Sequence, residues 1–153
     1  MARASPLFTI GYEKATPFAV LDELKKARVS LLVDTRAVAA SRKPGFSKRQ
    51  LAASLDDIGI GYLHLQKLGT PAEGREAARK GDLKTLWRIY NKHLKTPEAK
   101  EAMDELLSLL RGKGRICLLC FERAPEVCHR SRIAEIAQER TGVKIQNLLP
   151  ALF

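Results

Sequence analysis

Acidic residues, aromatics and cysteines are all scarce in this chain, and each shortage excludes something. Only 17 Asp and Glu stand against 27 Lys and Arg, a formal net charge of +10. Such an excess attracts polyanions: nucleotides, nucleic acid or acidic partners. Aromatics make up 6% of the residues, and few of them fall among the basic clusters "KKAR", "SRKPGFSKR" and "RKGDLK". That pattern suits attraction of phosphate better than stacking on bases. Three cysteines, an odd count, argue against a disulfide framework and for a reducing compartment. No apolar run approaches the roughly 18 residues of a membrane span, so no membrane partner is expected. The opening "MARASPLFTIGYE" has no long apolar stretch before a small-residue cleavage site, which makes the cytoplasm the expected location.

Several familiar motifs are missing too. No G-x-G-x-x-G follows the first apolar run and no Walker loop occurs, so dinucleotide and P-loop chemistry are unsupported. A phosphatase-like loop needs arginine six positions after cysteine, but those positions hold Glu126 and Ala134. No cofactor is expected.

What remains is a rhythm of short apolar runs and amphipathic segments over 153 residues, without repeat or linker, read as a single domain (1–153). Leu7–Tyr12 reads as a strand ending near glycine, and Thr16 with Pro17 opens a helix to about Arg28. Val29–Arg36 reads as a buried strand, Ser47 opens a helix to about Ile58, and Ile60–Leu65 is a third strand. Helices follow over Asp82–Leu94 and Pro97–Arg111, then a strand over Arg115–Phe121, a helix over Pro125–Arg140 and a short strand over Val143–Leu148. This alternation predicts an α/β fold: three layers, a mostly parallel sheet of about five strands with helices on both faces, Rossmann-like but without the dinucleotide fingerprint. Such sheets bind ligands outside the carboxyl ends of their strands.

Those ends carry polar pairs. Residues two apart on a strand share a face, which couples Asp34 with Arg36, Tyr62 with His64, and Cys120 with Glu122. Burying such groups unpaired costs about 1–3 kcal/mol each. Two readings stand: a shared polar cleft, or a closed ion-pair network of Asp34, Arg36, Glu122 and Arg130 that only holds helices to the sheet.

The stretch "CFERAPEVCHR", Cys120–Arg130, concentrates the chemistry. A helix amino terminus near Cys128–Arg130 favours anions. On a helical wheel Arg130 falls in the stripe of Val127, Ala134 and Ala137, so its guanidinium should face the sheet edge. Cys128 faces outward if the helix starts at Pro125, and enters the cleft only if regular helix begins near His129. Cys120 and Cys128 both remain candidate nucleophiles, and Cys117 is read as core. Cys120, Glu122, Cys128 and His129 are permissible zinc ligands, but their spacing matches no compact knuckle and the arginines oppose a cation. No metal site is expected.

These residues are similar to the domain of unknown function 488 family over nearly the whole chain. The likeness rests on "TIGYEKAT", "LVDTRAVAASRKPGFSK", "GIGYLHLQKLGT" and "LLCFERAPEVCHRSRIAEI". It implies a compact α/β domain and signature positions at Thr9, Gly11, Asp34, Arg36, Ser41, Pro44, Phe46, Tyr62, His64, Leu68, Gly69, Cys120, Glu122, Cys128, His129 and Arg130. "GYEKAT" stands where a "GHS"-like turn is common, so an imidazole beside Tyr12 is missing, and "VDTR" replaces "VDVR". The resemblance implies no activity.

Three functions follow from the residues. The first is an enzyme on a phosphate-bearing or nucleotide-like molecule. Glu122, Asp34, His64, Cys120 and Cys128 would supply chemistry, and Arg130, Arg36, His129, Tyr62, Ser41 and Gly11 would line the substrate site. The second is a nucleic-acid-binding module using the basic loop Ala40–Gln50 around Phe46. The third is a structural protein or homo-oligomer, with Leu83, Leu86, Trp87 and Tyr90 facing a second copy or, in the plainer reading, the core.

Overall fold

A computed structural model describes residues 5–152. Five strands form one sheet: β1 (Leu7–Gly11), β2 (Leu31–Asp34), β3 (Gly61–His64), β4 (Ile116–Cys120) and β5 (Ile145–Leu148). Their order is β3-β2-β4-β1-β5 and every pairing is parallel. Six α-helices accompany them: α1 (Pro17–Lys26), α2 (Lys48–Asp57), α3 (Ala72–Arg79), α4 (Leu83–His93), α5 (Pro97–Leu110) and α6 (His129–Thr141). The three-layer α/β expectation holds, with the sheet wholly parallel. No helix among the described residues is long and apolar enough to cross a membrane.

Local chemistry sets most boundaries. Thr16 Oγ1 accepts from Ala19 N at 3.1 Å, with Pro17 in the first turn, and Thr96 repeats the device on Ala99 N at 3.3 Å before Pro97. Asp82 caps α4 through Thr85 N at 3.1 Å. Gly142, at φ 74°, ends α6 in the left-handed conformation that glycine adopts without steric penalty.

The sheet has two apolar faces. On one, Leu32, Leu119, Phe8 and Ile10 pack with Val20 and Leu24 of α1 and Leu51 and Leu55 of α2. On the other, Val33, Ile116 and Leu118 pack with Met103, Leu106 and Leu110 of α5 and Ile133, Ala134 and Ala137 of α6. Each fully buried leucine of this kind contributes about 2 kcal/mol. Tyr90 belongs to this core, Trp87 packs half-buried against it, and Leu86 is buried beneath the rim cavity. The plainer reading of that helix therefore applies, and only Leu83 of the four is exposed.

Two departures from the sequence reading matter for the site. The helix expected over Pro125–Arg140 is interrupted: a single 3-10 turn covers Pro125–Val127, Cys128 is extended at φ −116°, ψ 142°, and regular helix begins at His129. The break turns Cys128 inward, where it is buried. Helix α3 was unforeseen because it is short, half of it is charged and it carries a glycine in its first turn. A Cβ at Gly74 would lie 2.5 Å from Thr70 Cγ2, so a side chain there would force Thr70 to shift.

The connections leaving β2 and β4 diverge. The chain runs from β2 outward to β3, but from β4 back across β1 to β5. Neighbouring strands with opposed connections leave a crevice at their carboxyl ends. Here it opens above Asp34–Arg36 and Cys120–Glu122.

Candidate active site at the carboxyl edge of the sheet

Strand alternation sends the two polar groups to opposite faces. Asp34 lies on the face of Leu32, toward α1 and α2, whereas Cys120 lies on the face of Leu118, toward α5 and α6.

The first group is closed on itself. Asp34 is fully buried, and its Oδ1 and Oδ2 accept from Arg36 Nε at 2.9 Å and Nη2 at 2.7 Å. Tyr62 Oη donates to Asp34 Oδ2 at 2.5 Å. Arg36 Nη1 donates to the Phe46 carbonyl at 2.7 Å and to Tyr12 Oη at 3.2 Å. Burial pulls the Arg36 pKa down, but the hydrogen bond and charge of Asp34 outweigh it and hold the guanidinium above its ordinary range. Burial, then Asp34, raises the Tyr62 phenol. His64 Nε2 donates to the Arg36 carbonyl at 2.7 Å. Ser41 is bound within its own loop: its N donates to Ser47 Oγ at 3.1 Å and its Oγ accepts from Lys43 N at 3.1 Å.

The second group surrounds the end of β4. Cys120 and Cys128 are joined as a disulfide, so the odd count of cysteines conceals one pair and leaves Cys117 as the free, buried thiol. Glu122 Oε2 lies 3.5 Å from Cys120 Sγ. Burial raises the Glu122 pKa, offset in part by its own backbone N–H and by Arg130. Arg130 is fully buried; Nη1 donates to the Glu122 carbonyl at 2.5 Å and lies 3.1 Å from Cys120 Sγ, and Nη2 donates to the Arg123 carbonyl at 3.1 Å. Its Nε has no hydrogen-bond partner among the described residues. Burial lowers the Arg130 pKa, with Glu122 acting against it. Gly11 makes this possible: a Cβ there would lie 1.8 Å from the Glu122 carbonyl oxygen and 3.0 Å from Arg130 Nη1.

His129 joins the two groups. Thr35 Oγ1 gives its proton to the Leu119 carbonyl at 2.8 Å, so it can only accept from His129 Nε2 at 3.1 Å. The same Nε2–H points at the Thr35 carbonyl, 2.8 Å away. The neutral ring therefore keeps its lone pair on Nδ1. Burial holds its pKa at about 4.

A cavity of about 530 Å³ opens over this rim. Its wall includes Tyr12, Arg36, Thr70, Arg75, Arg79, Cys120, Glu122 and His129. Asp34, Tyr62, His64, Ser41, Cys128 and Arg130 are not on that wall; they lie behind or beside it. Arg75 and Arg79, four apart on one face of α3, were not singled out from sequence, although "GREAAR" carries that spacing. Arg75 Nη1 donates to the Thr70 carbonyl at 2.8 Å, and Arg79 pairs with Glu76 at 2.9 Å on the surface. Cys120, Cys128 and His129 place donor atoms within 4.8 Å of one another, a set soft enough for zinc once the sulfurs are reduced. The Arg130 charge beside Cys120 opposes a cation there.

A family model described as "Domain of unknown function DUF488" matches residues 16–137. No curated protein and no solved structure matches the chain.

Proposed function

The chain belongs to the DUF488 domain family, and we propose that it is a small enzyme whose rim cavity binds an anionic, phosphate-bearing small molecule. The observation that carries this reading is the composition of one wall: three guanidiniums, Arg36, Arg75 and Arg79, share a cavity with Glu122 and His129. Arginine suits phosphate oxygens because its planar fork donates two parallel hydrogen bonds. Arg36 is committed to Asp34, Tyr12 and Phe46, so Arg75 and Arg79 do most of the binding and Arg36, its charge matched by Asp34, shapes the floor. Glu122 is the proton-transfer group. Its raised pKa brings a carboxylic acid nearer neutrality, and general acid–base catalysis works best with such a match. Neutral His129 presents a second acceptor through Nδ1.

The test is calorimetric titration of the intact chain with inorganic pyrophosphate, adenosine monophosphate and ribose 5-phosphate, repeated with Arg75→Ala and Arg79→Ala. Saturable binding of one probe, weakened about tenfold by each variant, is expected; tenfold corresponds to about 1.4 kcal/mol, the scale of one charge-assisted hydrogen bond. Glu122→Gln should leave that binding intact and abolish turnover. No binding by any probe, or binding indifferent to both arginines, overturns the reading.

The net charge of +10 favours a second reading, binding of nucleic acid without chemistry. Its basic loop lacks an aromatic platform, because Phe46 is fully buried against Tyr12. Affinity would then reside in phosphate contacts alone and fall steeply with salt.

A further inference from the structure

We propose that Cys120 and Cys128 form a reversible dithiol/disulfide couple whose oxidant is a hydroperoxide, with Cys120 as the attacking sulfur and Cys128 as the resolving one. This goes beyond anion binding and does not rest on it.

Four observations assign the roles. The two sulfurs are bonded although their residues sit on different elements, Cys120 closing β4 and Cys128 in the extended break before α6. Cys120 borders the cavity and Cys128 does not, so a small oxidant entering from solvent meets Cys120 first. Arg130 is a fully buried guanidinium that makes no ion pair with a carboxylate among the described residues. Its Nη1 lies 3.1 Å from Cys120 Sγ, which makes the reduced Cys120 thiolate an anion that this charge would hold. The third cysteine, Cys117, faces the opposite side of the sheet, and burial pushes its thiol up, so it stays inert.

The steps balance. The Cys120 thiolate attacks one oxygen of ROOH and the O–O bond breaks. The departing alkoxide takes a proton, for which the Glu122 carboxyl beside Cys120 is placed, leaving Cys120 as a sulfenic acid. The Cys128 thiolate then attacks the Cys120 sulfur, the S–S bond forms, and the S–O bond breaks. The hydroxide released takes up the proton that Cys128 lost and leaves as water. Two thiols and one ROOH give one disulfide, one ROH and one water. A dithiol reductant returns the pair to thiols by exchange.

The experiment uses the whole chain, reduced with dithiothreitol, desalted without oxygen and given one equivalent of hydrogen peroxide. Two of the three thiols should disappear, with a mass loss of two hydrogens, and Cys117→Ser should leave that reaction unchanged. Cys128→Ser should stop at a sulfenic acid that dimedone traps on Cys120. Cys120→Ser should react at least about tenfold more slowly, since the thiolate is the nucleophile. If Cys128→Ser does not fold, dimedone present during oxidation of the unaltered chain, with peptide mapping, reads the same intermediate. Cys120→Ser reacting as fast as the unaltered chain, or dimedone on Cys128, overturns the assignment. A reduced protein that binds one zinc through Cys120, Cys128 and His129 and resists peroxide overturns the couple itself.

Discussion

Arg130 Nη1 donates to the carbonyl oxygen of Glu122 at 2.5 Å, so the first turn of α6 is clamped to the peptide that leaves β4. Nη2 extends the clamp to the Arg123 carbonyl at 3.1 Å. A buried cation held by carbonyl dipoles rather than a carboxylate makes a rigid corner. It also places that charge beside Cys120, with Glu122 as the main carboxylate acting on it.

Arg130→Lys keeps the charge but cannot span both carbonyls. One buried acceptor is left unmet, at about 1–3 kcal/mol. Arg130→Ala also opens a cavity and should lose about 4 kcal/mol. Urea unfolding reads both, and an alanine variant within about 0.5 kcal/mol of the unaltered chain, inside the usual scatter of surface substitutions, would show that the clamp supports nothing.

Gly11→Ala tests the same corner from below. The new Cβ would meet the Glu122 carbonyl carbon at 2.6 Å and its oxygen closer still. Backbone on both sides leaves no flexible end to give way, so the Glu122 peptide must move. The expected loss is about 3 kcal/mol, at the upper end for overpacking. Faster reaction of reduced Cys120 with iodoacetamide should accompany it as the wall loosens. Unchanged stability would mean that the peptide adjusts freely.

Asp34 and Tyr62 separate scaffold from chemistry. Removing Asp34 strands the Arg36 guanidinium inside the protein, and breaking a buried pair in this way costs about 3–5 kcal/mol. Tyr62→Phe removes one hydrogen bond to a carboxylate, worth about 2 kcal/mol. If the pair is scaffold, Tyr62→Phe lowers stability and leaves probe binding at the cavity unchanged. A selective loss of binding with full stability would instead assign Tyr62 to the site.

The fold was legible because strand and helix periods were clean and caps stood where helices began. Thr16-Pro17 and Thr96-Pro97 announce α1 and α5, and the apolar runs at Leu31 and Ile116 admit only buried strands. The stripe of α6 placed Arg130 inward correctly, yet a wheel cannot tell a guanidinium aimed at a ligand from one tied to its own chain's carbonyls. Asp34 illustrates the same limit: two-residue spacing gave it the face of Arg36, but only the packed sheet seals both against Tyr62. What escaped was α3, whose eight residues, with glycine third and four of them charged, have too little apolar surface to register. Arg75 and Arg79 were missed with it. The sulfur pairing escaped for another reason, since it depends on the extended backbone at Cys128, which Pro125 eight atoms of main chain away does not encode.

His129 supplies a pH signature. Its pKa is about 4 in the folded protein against 6.5 ordinarily, because burial disfavours the imidazolium and Arg130 adds to that, while the Thr35 carbonyl and Asp34 pull the other way. The unfolded chain therefore binds the proton more readily. Stability from this residue is complete above pH 6.5 and is lost as pH falls from 6.5 toward 4, by about 3 kcal/mol in all. Glu122 acts in the opposite direction: with its pKa raised, its contribution is greatest at low pH and declines as pH rises through the carboxylate range. The two are distinguishable by sign. His129→Gln retains an N–H for the Thr35 carbonyl and cannot titrate, so between pH 7 and 4 the urea midpoint of the unaltered chain should fall relative to that of the variant. Parallel curves would show that the ring is protonated as readily in the folded protein as outside it.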